Sequence, residues 1–262
     1  MTRGAAYRGQ GAEAGAVHVP HLTIRSFSSR GFASAVANPD GSRAEHVMSR
    51  LEKGYLLLKR RDPDVVERRE QVPLHPVEET DEIARAMGIR PLRTPKRQPY
   101  VLTTDFVLGY RDGRREANFV RPVARLARSK RAFDKMMVER VYWARRGVDF
   151  RIVTDADVPG VIISNLEMLQ DNQFPPSGFK VPKSQVVGLL ALRTALDGRY
   201  GIPLCFVCRD LDVREGMPVG THVALLKHFV FRRMLTINLY AAFRSGDAYR
   251  IVGDRLERMD VD

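Results

Sequence analysis

Apolar side chains along this chain change their period several times, and each change marks an element. From Ser42 to about Arg61, Val47, Leu51, Tyr55 and Leu58 recur at three- and four-residue steps, which predicts an amphipathic helix. Asp62-Pro63 ends it, because the residue before a proline is driven out of the helical region. Val65 to Leu74 then reads as a strand entering a proline-rich loop, followed by a short helix from Asp81 to Met87 and a basic loop from Arg90 to Arg97. Two strands, 100–110 and 115–121, are joined at Asp112-Gly113, a pair suited to the positive φ angles of a tight hairpin. Ser129 to Arg146 returns to helical spacing through Phe133, Met136, Met137, Val141 and Ala144, with Gly147 placed as its C-terminal cap. Val148 to Thr154 is again a strand. Helix, three strands, helix, strand is an α/β order, and it predicts a mixed sheet flanked by helices.

Past Asp155 the pattern becomes mainly helical. Asp171 to Gly178 reads as a linker or exposed loop, and helices follow at about 183–198 and 218–234, the second with Val223, Leu226, Val230 and Met234 as one stripe. Leu235–Ala242 and Tyr249–Val252, separated by Ser245-Gly246-Asp247, predict a closing hairpin. Helices followed by a small hairpin suggest a winged-helix-like module, or equally a helical cap without nucleic-acid contacts. The expected division is a first domain over 1–158 and a second over 159–262. Residues 1–42 are rich in Gly, Ala, Ser and Arg, a composition shared by flexible arms and transit segments, although 18–25 alternates like a strand.

Charge narrows the partners. The 262 residues carry 43 Lys and Arg against 31 Asp and Glu, a formal net charge of +12. Such an excess favours a polyanion through counterion release, so nucleic acid is the expected partner. No motif of base-stacking aromatics argues for an RNA module. Cys205 and Cys208 are the chain's two cysteines, which excludes a disulfide framework, and they read as small hydrophobes in a strand. No apolar run approaches membrane-spanning length, and a soluble intracellular protein is expected.

Candidate chemistry centres on the hairpin. Asp105 stands within the apolar strand Val101–Leu108, where an unpaired carboxylate would cost several kcal/mol, so it must be paired, protonated or metal-bound. Strand alternation gives Phe119 and Arg121 one face of the next strand and Asn118 and Val120 the other. Glu52 borders the apolar stripe of the first helix. Two carboxylates and a cation of this kind suit a Mg²⁺ site for phosphodiester hydrolysis, although from spacing alone an ordinary structural salt bridge between Asp105 and Arg121 is the commoner outcome.

Longer stretches add a resemblance. The segment from Gly41 to Glu52, Tyr55–Leu58, Asp62–Val65, Glu70–Leu74, Thr103–Phe106, Val120-Arg121-Pro122, Glu139–Trp143 and Ile152–Thr154 is similar, in order, to the TnsA family, the endonuclease subunits of heteromeric cut-and-paste transposons. Arg8–Gly11 and Ser28–Gly31 extend the likeness, which covers nearly all of 1–155 and weakens afterwards. It implies a restriction-endonuclease-like fold with a C-terminal winged-helix-like domain. It also implies Mg²⁺, with Mn²⁺ as an alternative, held by Glu52 and Asp105. The family lysine falls on Arg121 and a polar site residue on Phe119; both are departures, since a guanidinium stays protonated and a phenyl ring offers no oxygen. The implied partners are double-stranded DNA at transposon ends, a TnsB-like transposase and a TnsC-like AAA+ ATPase, with no membrane, in the bacterial cytoplasm at the nucleoid. An impaired homologue that holds DNA as an assembly subunit is the alternative. Glu139, beside Arg140, is expected to be a solvated surface residue, with support of the site, which the resemblance implies, as the alternative, and Trp143 is expected to pack in the core. His46 is expected near phosphate or in a local hydrogen bond.

Overall fold

A computed structural model describes residues 18–23, 32–38, 43–94, 96–197 and 199–259. Arg8–Gly11, Ser28 to Gly31 and the end of the strand-like stretch 18–25 lie outside the described residues. The elements run β1 (Ser34–Ala37), β2 (Ala44–Val47), α1 (Arg50–Arg60), β3 (Val65–Pro73), α2 (Val77–Ala86), β4 (Thr103–Tyr110), β5 (Arg115–Val120), α3 (Val123–Arg128), α4 (Lys130–Ala144) and β6 (Asp149–Val153). They continue with α5 (Gly160–Gln170), α6 (Pro182–Asp197), α7 (Leu204–Arg214), α8 (Thr221–Phe231), β7 (Tyr249–Val252) and β8 (Arg255–Arg258).

The central sheet has the order β3-β4-β5-β6, antiparallel across its first two pairs and parallel between β5 and β6. Every residue of β4 from Thr104 to Tyr110 is buried, as a strand covered on both faces must be. A core of Leu74, Ile83, Leu102, Val107, Ala117, Val138, Tyr142 and Trp143 joins α2 and α4 to this sheet. Tyr142 and Trp143 meet edge to face at 5.3 Å, and the Tyr142 hydroxyl donates to the His75 carbonyl at 2.8 Å. Burial of each such large side chain contributes about 1.5–3 kcal/mol.

Contacts group the chain into two units: the described residues of 1–36, 44–52 and 64–156, and those of 37–43, 53–63 and 157–262. In the second unit Leu192, Leu196, Leu204, Val207, Leu211, Leu225, Leu226 and Phe229 form a core drawn from α6, α7 and α8. Arg61 belongs to it as well, donating to the carbonyls of Val230 at 2.9 Å and Phe231 at 3.2 Å and so satisfying the open C-terminus of α8.

Several expected elements are corrected. Residues 44–47 form β2 rather than the start of a helix, because Ser49 caps α1 and the helix begins at Arg50. The helix expected at 81–87 starts earlier, at Val77, directly after Pro76. Cys205 and Cys208 lie on α7, so their three-residue step is one turn of helix rather than part of a strand. Tyr249–Val252 pairs with Arg255–Arg258 through a tight turn at Gly253, not with 235–242, which is irregular. Helices α3, α5 and α7 were not anticipated.

Close helix packing yields a test. A Cβ on Gly54 of α1 would stand 2.6 Å from Ile163 Cγ1 of α5. Alanine gains about 1 kcal/mol over glycine inside a helix, whereas overpacking costs about 1–3 kcal/mol. Gly54→Ala is therefore expected to destabilise the protein by about 1 kcal/mol in chemical denaturation. Ile163→Ala should cost at least about 1 kcal/mol less in that background than alone, and additive effects would contradict the contact.

Candidate active site

The sheet opens at Asp105. The last pair between β4 and β5 is Phe106 with Asn118, after which β5 continues against β6 through Phe119 and Val120. The Val120 N–H, turned away from the ladder, donates instead to Asp105 Oδ2 at 2.8 Å. On the other side Glu70 pairs with Phe106 and Val72 with Thr104, which leaves Gln71 opposite Asp105. Gln71 takes the left-handed conformation, φ 49°, costly for a side chain of this kind and concentrated at functional sites. A buried carboxylate thus sits where both neighbouring strands depart from regular pairing.

Helix α1 delivers the second carboxylate. Ser49 Oγ accepts the Glu52 N–H at 3.1 Å and donates to Glu52 Oε1 at 3.0 Å, while Glu52 Oε2 accepts the Met48 N–H at 2.8 Å. This is a variant of the capping box, whose Ser-x-x-Glu signature is plain in the sequence. The cap fixes the rotamer of Glu52, only 2% exposed, and turns it inward rather than to solvent.

Two nitrogen atoms link the acids. Arg121 Nη1 lies 2.9 Å from Asp105 Oδ2 and 3.6 Å from Glu52 Oε1, and it also donates to the Val120 carbonyl at 2.6 Å. Gln71 Nε2 donates to Glu52 Oε2 at 3.4 Å and to Asp105 Oδ1 at 3.5 Å, and its Oε1 accepts the Thr103 hydroxyl. The structure therefore brings Glu52, Asp105 and Arg121 together. Phe119 does not face the opening; it is buried beneath the guanidinium, 4.9 Å from ring centroid to Cζ. Asn118 and Glu116 are buried and bond within β5 or to Tyr110 and Arg114, and the His46 N–H donates to Glu70. None of the three lines the opening.

Helix α4 closes the site. Glu139 is buried, contrary to the solvated placement expected of it: Thr104 donates to its Oε2 at 2.9 Å, and Trp143 Nε1 donates to the Thr104 hydroxyl at 2.7 Å. The buried face of α4 runs Met136, Glu139, Trp143 with Val138 and Tyr142, whereas Phe133, assigned to the apolar stripe, is exposed. A cavity of about 310 Å³ is bounded by Glu52, Gln71, Asp105, Arg121, Lys135 and Glu139, with Arg125 of α3 also on its wall. Gln71 and Lys135 were missed by sequence reasoning. Lys135 shares a helix face with Glu139 at i, i+4, a signal available only once Glu139 is known to point inward.

Comparison with known proteins now has a geometry to explain. Residues 62–155 match the family described as TnsA-like endonuclease N terminal. The transposition protein TnsA of transposon Tn7, from Escherichia coli, is 28% identical over 241 residues, covering 91% of this chain and 85% of that protein. The chain is thus similar to TnsA, by the family match over 62–155 and by this relative over most of its length. Its four-stranded mixed sheet with flanking helices accords with the restriction-endonuclease-like fold of the TnsA family. β3, β4, β5, α4 and β6 all fall inside the matched segment, whereas Glu52 precedes it.

The electrostatics of this site favour protons on two of its buried acids. Burial, and next the proximity of Asp105, push the Glu52 carboxyl up to about 7, against the opposing effects of Arg121, the Met48 N–H and Ser49. Burial and Asp105 likewise raise Glu139 well above the usual carboxylate range. Burial opposes the charge on Arg121, yet Asp105, Glu52 and Glu139 together hold its pKa above the ordinary arginine value. An oxygen-only donor set of this kind suits a hard divalent cation. Among the described residues no group of three His, Cys, Asp or Glu side chains forms a ready metal cage. An ion at Glu52 and Asp105 would therefore complete its shell with water and substrate, the habit of Mg²⁺.

A pH dependence follows from Glu52. Its carboxyl keeps a proton to higher pH in the folded state than the reference 4.5, so its stabilising contribution is complete below 4.5 and lost as pH rises through about 7. Metal-free protein is expected to melt at lower temperature at about pH 8 than at about pH 5, and Glu52→Gln, which cannot ionise, should flatten that slope. Calorimetric melting of both proteins decides it, and identical slopes would remove Glu52 as the cause.

Proposed function

We propose that this chain is a Mg²⁺-dependent DNA endonuclease that cuts the 5′ strand at transposon ends. It would work beside a TnsB-like transposase that cuts the 3′ strand and a TnsC-like AAA+ ATPase. The observation that carries this reading is the meeting of Glu52 and Asp105 at the same nitrogens of Arg121 and Gln71 on one cavity, with Asp105, Arg121 and Gln71 inside the TnsA-like segment and Glu52 just before it. Glu52 and Asp105 would hold the ion, Mg²⁺ or in its place Mn²⁺. When bound, the ion supplies an activated water and neutralises charge that builds on the phosphate. Arg121 offsets the buried acids but, remaining protonated, takes no proton from water. Gln71 holds the two carboxylates in register. The +12 net charge supplies affinity for duplex DNA, and the second unit is the part assigned to the ATPase and to further DNA contacts. Among the described residues no helix is long and apolar enough to cross a membrane. Nucleoid DNA in the bacterial cytoplasm is the setting this role requires.

A second reading, an assembly subunit that binds DNA without cutting it, draws on Arg121. Its guanidinium is already bonded to Asp105 and lies over the Phe119 ring, at positions where the resemblance to the TnsA family implies lysine and a polar residue. Transposition products separate the two. The unchanged protein is expected to release the element by cutting both strands, and Glu52→Ala or Asp105→Ala to convert products to cointegrates, with 5′ cleavage down by about 10²-fold or more. Identical product ratios in all three would exclude cleavage by this site.

A further inference from the structure

Arg121 is the cation closest to Asp105. Its Nη1 serves Asp105, approaches Glu52 and bonds the Val120 carbonyl, and its Cζ lies 4.9 Å from the Phe119 ring centroid. That nitrogen is committed to the site's own acceptors and ties the two acids together. Lys135 is a second cation on the same cavity wall. It is half-buried on α4, one turn before Glu139, and lines the same cavity as Glu52, Asp105 and Arg121. Its ammonium lies over the face of Tyr100, 4.6 Å from the ring centroid. Among the described residues it makes no hydrogen bond or ion pair, and Asp134, the acid next to it in sequence, is paired with Lys130 at 2.9 Å. A partly desolvated ammonium with three N–H donors thus stands on the cavity wall with no acceptor among the described residues. Burial first and Arg131 second lower its pKa, with Arg121 adding to them, while Glu139 and Asp105 act the other way. Arg125, exposed on the rim, can attract a phosphate chain but lacks this enclosure.

We infer that Lys135 is a catalytic residue of this site, its ammonium donating to a non-bridging oxygen of the scissile phosphodiester as the attacking water adds. The inference rests on the endonuclease reading and deepens it. The lysine that the family carries at the end of β5 is replaced here by one reaching the same cavity from α4, and Arg121 is left as a tie between the carboxylates. No proton or electron need be exchanged with Lys135, since the ammonium acts by donation to charge that grows in the transition state.

The test uses the full-length protein in the complete transposition reaction, scoring 5′ cleavage at saturating DNA, with duplex affinity measured separately in EDTA. Lys135→Ala is expected to slow cleavage about 10²-fold or more while the metal-free Kd shifts less than about threefold. Ethylamine in the buffer should restore at least about tenfold to Lys135→Ala, a rescue that a packing defect would not show. Lys135→Met, which keeps the stem beside Tyr100, should lose as much as the alanine variant. Cleavage within about threefold of the unchanged protein, or a loss that amine does not relieve, overturns the assignment. If Asp105→Asn is inactive while Lys135→Ala cuts normally, only the lysine is rejected. If Asp105→Asn cuts normally, or the unchanged protein cuts nothing, the endonuclease reading falls and the assignment falls with it.

Discussion

A carboxylate placed in the middle of a covered sheet has no water to solvate it, and every distinctive feature of the first unit can be traced to how Asp105 is accommodated. One oxygen takes a backbone N–H that the ladder has released and a guanidinium from the following residue; the other takes a side-chain amide from the strand on the opposite side. These bonds require β5 to part from β4 just after Asn118 and β3 to turn Gln71 into left-handed backbone. Regular pairing is given up on both flanks so that one buried charge can be met. The opening this creates is also the space into which α1 and α4 direct their own acids, so a device for satisfying Asp105 and a cavity for chemistry are the same structure.

The Arg121–Phe119 pair shows how a cation and an aromatic ring together brace a buried acidic site. A phenyl ring under a guanidinium gains from stacking as well as from burial, and the planar cation keeps its edge free for two carboxylates. The pair secures the framework of the site. Held by two carboxylates and a backbone carbonyl, Nη1 of Arg121 acts as a fixed strut between α1 and the sheet.

The strands were largely legible because their signals are local. The Asp112-Gly113 turn and the runs on either side place β4 and β5 within a few residues, and Asp62-Pro63 separates α1 from β3. The start of α1 was not, since Val47 continues the helical spacing while Ser49 stops the helix; the decisive sign was the Ser-x-x-Glu cap. Glu139 illustrates a deeper limit. Residue type ranks a glutamate beside arginine as solvated, and only the position of Thr104 on a neighbouring strand makes an inward carboxylate tolerable. Gln71 gives no sign at all, because nothing in a glutamine announces left-handed backbone. Glu52, Asp105 and Arg121 were singled out by the family likeness more than by spacing, which by itself favours a structural salt bridge. Cys205 and Cys208 fit strand and helix alike at their separation, and the surrounding core of α7 resolves the choice.

The bond from Trp143 to Thr104, and from Thr104 to Glu139, has one more consequence. This is the chain's single tryptophan, and its indole N–H is two hydrogen bonds from a carboxylate on the cavity wall. Any change of charge or occupancy felt by Glu139 is relayed to the polar edge of that indole, which makes its fluorescence an intrinsic optical gauge of the site, free of background from other indoles in the chain.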